Sequence, residues 1–345
     1  MHSEAEHPHP ESNQLSRRHF LSGLGALLGL ETVAGAPLTS TLNTDVGKNA
    51  AGIPLRVLGR TGEKVTILGL GTAPVGHSKP GADKGIPVYR AALEAGVNYV
   101  DTAHGYDDAE DYLGELVPQY RDRIFLVTKS LPSGSDPKAA AAEMQCQFEL
   151  SLRKMKTDHV DLLHIHSVGS YAPEIVLGAG GALEFARKMK DKGNTRFIGI
   201  TAHCRPDRLV KIIETGEIDA VMMVLNFADY HTYRFEQEIL PVARKHRCGI
   251  LAMKVLGGHR EGFAGYRHRG PAKMPPEYLQ TALRYSLSIE GVTSAVVGAY
   301  TVEEVLQNVE WAKHYEPCSA QEQTQLREEG RRMAAAWGPR FGPAA

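Results

Sequence analysis

Cysteine is scarce in this chain. Four residues in 345 (Cys146, Cys204, Cys248 and Cys318) are dispersed and form no Cys-x-x-Cys pair, which argues against a structural zinc site or an iron–sulfur cluster. Reduced core or loop thiols are therefore expected. An excess of one charge is also lacking: 39 Lys and Arg face 40 Asp and Glu, a net charge of -1. Nothing steers the chain toward nucleic acid or an anionic membrane, and a small ligand held in a pocket is the expected partner. No long apolar run is present. The longest candidate, Leu21 to Leu30, falls short of the roughly 20 residues that span a bilayer. Also missing is a Gly-x-Gly-x-x-Gly turn opening a helix after the first strand, which weakens an open, doubly wound sheet.

The N-terminus does contain Ser16-Arg17-Arg18-His19-Phe20-Leu21 ahead of that short Gly-rich run, with small residues at Ala34-Gly35-Ala36. The pattern resembles a twin-arginine export signal. It implies the Tat export machinery as a partner, a periplasmic destination and no stable membrane span after processing; an unused signal would leave the protein cytoplasmic. The expected organisation is a signal segment over 1–36, a linker over 37–52, a barrel over 53–330 and a C-terminal tail over 331–345.

From Leu55 two short strands surround a Thr61-Gly62 turn, an N-terminal β-hairpin. Eight short, nearly continuous apolar runs follow, near 65–71, 98–102, 124–128, 160–165, 196–201, 220–225, 249–254 and 294–298. Strands buried on both faces of a parallel sheet have this character. Helical periodicity separates them, and Pro137, Gly193 and Gly216 stand where helices start or stop. Eight strand–helix repeats predict an α/β fold, a (β/α)8 TIM barrel. One connection is unusually long, His259 to Pro276, with Arg260, Arg267, Arg269 and Lys273; on the catalytic face it would cover a phosphate-bearing ligand or remain a solvated loop.

Four titratable side chains close consecutive runs. Asp101 begins Asp101-Thr-Ala-His-Gly-Tyr106, Lys129 ends Ile124-Phe-Leu-Val-Thr-Lys129, and His166 ends Val160-Asp-Leu-Leu-His-Ile-His166. In a barrel the C-terminal strand ends converge on one site. A free phenol, with a pKa of about 10, is a poor proton donor at neutral pH. An ammonium beside Tyr106 would favour its phenolate. Lys129 is placed to supply that charge, Asp101 to hold the ammonium, and His166 to orient a carbonyl.

Taken in order, these elements resemble the aldo/keto reductase superfamily. Asp101-Thr-Ala-x-x-Tyr106 with the following Glu110-x-x-Leu-Gly114, Val127-Thr-Lys129 and Asp161-Leu-Leu-His-Ile-His166 match its motifs, over about residues 55 to 312. The resemblance implies Tyr106 as general acid/base, Lys129 and Asp101 as its tuning pair, and His166 as the residue positioning the carbonyl. It also implies hydride transfer between NAD(P)H and an aldehyde, ketone or sugar carbonyl.

The cofactor elements match less uniformly. Gly71 and Thr72 end the first strand. Thr201 and Ala202 stand in the Ser and Asn places that hold the nicotinamide amide, so one hydrogen-bonding group is lost. Met222 replaces a Gln, with Asn226 following it. Met253, followed by Lys254, replaces the tyrosine that stacks on nicotinamide; a sulfur still contacts a ring face well. Gly298 and Asn308 fit the adenosine element, whereas Tyr300 and Thr301 stand where cations often grip a 2′-phosphate. NADP is the expected cofactor, with NAD also compatible. Tyr230, Trp311 and the residues near Phe263 are candidates for touching substrate.

Two other readings stand beside this one. His164 and His166 share a strand face at a spacing a metal could bridge, which would suit a metal-dependent barrel hydrolase; no acidic residue follows the last strand to complete such a site, and no metal is expected. Alternatively, the altered nicotinamide contacts would suit a barrel that binds a nucleotide without turnover, as a sensor or subunit.

Overall fold

The computed structural model describes residues 45–344. The twin-arginine-like segment 1–36 and linker residues 37–44 lie outside the described residues. Among the described residues no helix is long and apolar enough to cross a membrane.

Ten strands are present among the described residues. The hairpin strands β1 (Leu55–Val57) and β2 (Lys64–Thr66) pair antiparallel, and the turn between them ends at Gly62 with φ 74°. Eight parallel strands then close into a barrel in chain order: β3 (Leu68–Gly71), β4 (Tyr99–Asp101), β5 (Phe125–Ser130), β6 (Val160–Ile165), β7 (Thr195–Ala202), β8 (Ala220–Val224), β9 (Gly249–Met253) and β10 (Val292–Gly298), with β10 returning to β3. The (β/α)8 barrel read from the apolar runs is therefore the observed fold. One expected strand, 65–71, is two. The extended run serves two sheets and switches at Ile67, whose N–H donates to the Pro54 carbonyl and whose carbonyl accepts from Ala295 N.

The hairpin seals the N-terminal end of the barrel. Leu58 is fully buried, Arg60 N donates to the Arg247 carbonyl just before β9, and Arg60 Nε donates to Asp219 just before β8. The opposite end is left for the site. Helix boundaries follow local chemistry. The helix Pro137–Lys154 begins with proline at its first position and the Asp136 carboxylate accepting from Ala139 N, and Gly193 leaves its helix at φ 78°, a left-handed conformation that costs glycine least. The helix Val302–Lys313 is capped by Thr301, whose hydroxyl accepts from Glu304 N.

The ends of the expected domains are more tightly built than their sequence suggests. Linker residues 45–52 pair with the hairpin: Val46 N donates to the Leu55 carbonyl, and Arg56 bonds Asp45. The boundary placed at residue 330 falls inside the helix Ala320–Trp337. The remaining residues dock back on the barrel through Arg340, which makes two bonds to the buried Asp229 carboxylate at 2.9 and 2.8 Å and a third to the Gly257 carbonyl. Its guanidinium lies 4.4 Å from the ring centroids of both Trp337 and Phe341.

Removing one partner of a buried ion pair leaves the other uncompensated. Arg340→Leu is expected to lower the unfolding free energy by about 3 kcal/mol, measured by urea denaturation. A loss under about 0.5 kcal/mol, the range of an ordinary surface substitution, would mean the docked tail adds nothing to stability.

Candidate active site

Register places Asp101 and Lys129 on adjacent strands, with Tyr106 and His166 in the segments that follow β4 and β6. Asp101 pairs with Gly71 on one side and Val127 on the other, while Lys129 pairs with His164. Alternate residues of a strand share a face, so Val127 and Lys129 point inward together, as do His164 and His166. Lys129 is 1% exposed. Its Nζ donates to Asp101 Oδ2 at 2.6 Å, to the Thr102 carbonyl at 2.7 Å and to Tyr106 Oη at 3.3 Å. The three N–H donors of the ammonium thus have three acceptors. Burial alone would depress the Lys129 pKa, but the Asp101 carboxylate and the Tyr106 phenol outweigh it and hold it above the usual lysine value.

Neighbouring segments fix this cluster. Thr72 was read as a cofactor contact, yet it is fully buried and both its N–H and its hydroxyl donate to the Asp101 carbonyl. Glu110 accepts from Thr128 beside Lys129. The helix Ala73–Ser78 approaches so closely that a Cβ on Gly76 would lie 2.2 Å from the Tyr106 carbonyl oxygen. His77 meets the Tyr106 ring edge-on at 5.4 Å, and His166 meets it edge-on at 6.0 Å.

His164, His166 and His203 are all held well below the ordinary histidine pKa. Burial is the main cause in each; the Lys129 charge adds for His164 and His166, and the Lys254 charge is the next cause for His203. Neutral imidazoles result, and His166 is thereby suited to hydrogen bonding with a carbonyl oxygen. Its Nδ1 is buried without a hydrogen-bond partner among the described residues. Among the described residues no group of three His, Cys, Asp or Glu side chains converges as a metal site requires, so the hydrolase alternative has only its histidine pair.

A cavity of about 570 Å³ opens beside Tyr106 and Asp101, within the usual range of cofactor and ligand sites. It runs over the ends of β3, β8, β9 and β10 to the helix Val302–Lys313. Of the ten expected cofactor residues, Gly71, Met222, Met253, Lys254, Gly298, Tyr300 and Asn308 border it. Gly298 has no room for a side chain, since a Cβ would lie 2.5 Å from Pro74. The structure does not bring Thr72, Thr201 or Ala202 to the cavity. Thr201 is fully buried and its hydroxyl accepts from Ser167 N, securing the loop after β6, and Ala202 is equally buried. Thr301, the helix cap, does not border it either.

The long connection 259–276 folds over the cavity as a short bridged loop, His259 pairing with Ala272 around the turn Phe263–His268. Arg269 reaches Tyr300, donating to its carbonyl at 2.9 Å with the guanidinium 5.8 Å from its ring centroid. Trp311 borders the cavity. Tyr230 does not; Arg327 covers its ring at 4.6 Å elsewhere on the barrel. The sequence reading did not single out Gly76, His203, Tyr266 or Phe341. His203 follows Ala202 directly within a motif already in view, whereas nothing local marks Phe341, which arrives from far beyond the last strand.

A closed parallel barrel with a Tyr–Lys–Asp–His cluster at its rim, beside a groove of cofactor size, defines a (β/α)8 protein with a built pocket at one end. The sequence model of the aldo/keto reductase family matches residues 67–277, and the chain belongs to that family of oxidoreductases. It is 36% identical over 258 residues to methylglyoxal reductase of Escherichia coli (strain K12), covering 70% of this chain and 83% of the relative. It is 27% identical over 290 residues to L-galactose dehydrogenase of Arabidopsis thaliana, covering 74% and 87%. Among solved structures, the holo form of an aldo-keto reductase from Bacillus halodurans gives a TM-score of 0.64 at 23% identity, covering 80% of this chain and 96% of that one. An aldo/keto reductase from Klebsiella pneumoniae in complex with NADP and acetate gives 0.62 at 24%, covering 79% and 94%. These structural likenesses carry the fold.

Two predictions follow from the packing. Gly76→Ala is expected to displace the Tyr106 turn and lower turnover at least about tenfold, the scale on which catalytic misplacement acts. Gly105→Ala, whose Cβ would meet nothing within 4 Å, serves as the control, and equal activity of the two would refute a positioning role for Gly76. The histidines give a pH signature. Above pH 6.5 they are neutral folded or unfolded; below it the unfolded chain takes up protons that the folded protein refuses. Stability should therefore fall as pH drops from 6.5 toward 5, by up to about 1.4 kcal/mol per pH unit for each histidine. Urea denaturation across that window checks this; a flat profile would show that the imidazoles protonate in place.

Proposed function

We propose that the protein is an NADP(H)-dependent reductase of small aldehyde or ketone carbonyls, with Tyr106 as the proton donor. The observation that carries this reading is the fully buried Lys129 ammonium bonded at once to Asp101 and to Tyr106 Oη. A phenol that gives up its proton there leaves its negative charge 3.3 Å from a fixed positive one, an arrangement made before the reaction begins. His166, neutral and edge-on to Tyr106, is placed to donate to the same carbonyl oxygen and orient it.

The groove fits a dinucleotide by its size, by its reach from Tyr106 to Asn308, and by the side-chain-free surfaces of Gly71 and Gly298. A nicotinamide dinucleotide bound there supplies a hydride. Met222 and Met253 would contact its ring, and Asn308 and Tyr300 its adenosine end, where Arg269 adds the cation that the motif itself lacks. The carbonyl carbon gains the hydride, the C=O π bond breaks with its electron pair passing to oxygen, and the oxygen takes the Tyr106 proton, which solvent then restores. The NADP complex of the Klebsiella neighbour and the small carbonyl named in the Escherichia coli relative support this choice of cofactor and substrate size. Export through the twin-arginine route is part of the same proposal and rests on the N-terminal motif alone.

Tyr106→Phe is expected to cut carbonyl reduction by at least about 100-fold, the contribution of a positioned acid. NADPH affinity, followed by fluorescence titration beside NADH, should stay within about threefold, less than the tenfold that 1.4 kcal/mol represents. Unchanged turnover would eliminate Tyr106 as the donor. Tight nucleotide binding with no reduction across a broad panel of aldehydes and ketones would favour the sensor reading.

A further inference from the structure

Lys254 was expected among the cofactor residues and borders the groove, but its surroundings set it apart from the other residues there. It is the first residue beyond β9 and holds a left-handed φ of 54°, uncommon for a residue with a side chain. Several bonds impose this conformation. Its carbonyl accepts from Asn226 Nδ2 at 2.9 Å, the same amide bonds Asp229 at 2.7 Å, and Asp229 is clamped by Arg340. The backbone is thereby fixed so that the side chain enters the cavity.

Three rings surround the ammonium. Lys254 Nζ lies 5.0 Å from the ring centroids of both Phe263 and Tyr266 and 5.9 Å from that of Phe341, and it donates to Tyr266 Oη at 3.2 Å. Among the described residues no carboxylate forms an ion pair with it. An ammonium has three donors; one is spent on Tyr266 and the rings accept no strong hydrogen bond. The aromatic walls stabilise the cation while keeping water from its flanks, which strengthens its attraction for any anion entering from the open side. The Phe263 ring that it faces meets His203 edge-on at 5.2 Å, and His203 in turn lies 6.4 Å from the His166 ring, which connects the ammonium to the His166 side of the cavity.

We propose that Lys254 is a specificity-determining residue that binds a carboxylate on the substrate, so that the carbonyl compounds reduced at Tyr106 are oxo acids. The inference rests on the reductase reading and names its substrate class. The reaction is NADPH plus H⁺ plus oxo acid giving NADP⁺ plus hydroxy acid: the hydride adds to the carbonyl carbon, the oxygen takes the Tyr106 proton, and the carboxylate is unchanged. A diphosphate of the cofactor is the competing partner for the same ammonium.

The test compares each acid with its methyl ester, pyruvate against methyl pyruvate and 4-oxobutanoate against its ester, in wild type, Lys254→Met and Lys254→Arg. NADPH affinity of each variant is measured by fluorescence titration. Wild type should prefer the acid in at least one pair. Lys254→Met should lower the acid-to-ester ratio of kcat/KM by roughly 10- to 100-fold, the worth of a hydrogen bond to a charged group, mainly through KM, and Lys254→Arg should retain most of it. An ester preference in both pairs, or an unchanged ratio in Lys254→Met, overturns the proposal. So does a tenfold loss of NADPH affinity with the ratio intact, which would assign the lysine to the diphosphate. Should no carbonyl be reduced, the reductase reading fails separately, and binding of lactate against lactamide to the NADPH complex decides the anion site. It stands if Lys254→Met removes a preference for lactate and falls if there is no preference or the preference persists.

Discussion

A lysine ammonium almost without solvent at the rim of a barrel is costly, since burying a charge costs several kcal/mol unless it is fully compensated. Much of the local architecture around Lys129 supplies that compensation. Asp101 gives the opposite charge, the Thr102 carbonyl gives a second acceptor, and Thr72 bonds the Asp101 carbonyl twice so that the carboxylate's strand end cannot drift. Tyr106 completes the set as the third acceptor. Its phenol is therefore part of the balance that makes the lysine tolerable in the folded state. Stability and chemistry draw on the same contacts here.

The barrel was legible because it depends on repetition. Eight apolar runs separated by helical periods leave few alternatives, and the strand ends at Asp101, Ser130 and Ile165 fall within two residues of where the runs end. The grouping of Asp101, Tyr106, Lys129 and His166 was legible for a related reason: each member sits on a strand or in the segment that follows one, so its position follows from the repeat. The break at Ile67 was not, because the extended run continues through Ile67 with no Pro or Asn turn between 64–66 and 68–71, and only the sheet that receives each part differs.

Residues whose role depends on side-chain orientation were harder to assign. Thr72 and Thr201 occupy positions where a motif suggests a ligand, but both spend their hydroxyls on backbone groups of neighbouring segments. Lys254 sits where the cofactor was expected, but its partners come from Phe263, Tyr266 and Phe341, and no local pattern connects those three. Gly76 carries no signal at all in sequence; only the approach of Tyr106 shows why a side chain is excluded there.

The cavity lies across the seam where the first barrel strand meets the last. Gly71 and Gly298 are register partners there, and both border it. That pairing joins segments more than two hundred residues apart, so closing it carries a large loop entropy and is a slow kind of contact to form. A molecule filling the groove would touch both sides of the seam and bind only the closed barrel. By mass action it would then act as a staple on the longest-range strand pairing of the barrel, so the rate at which the barrel opens, and with it the protein's lifetime under heat or protease, would depend on the supply of ligand.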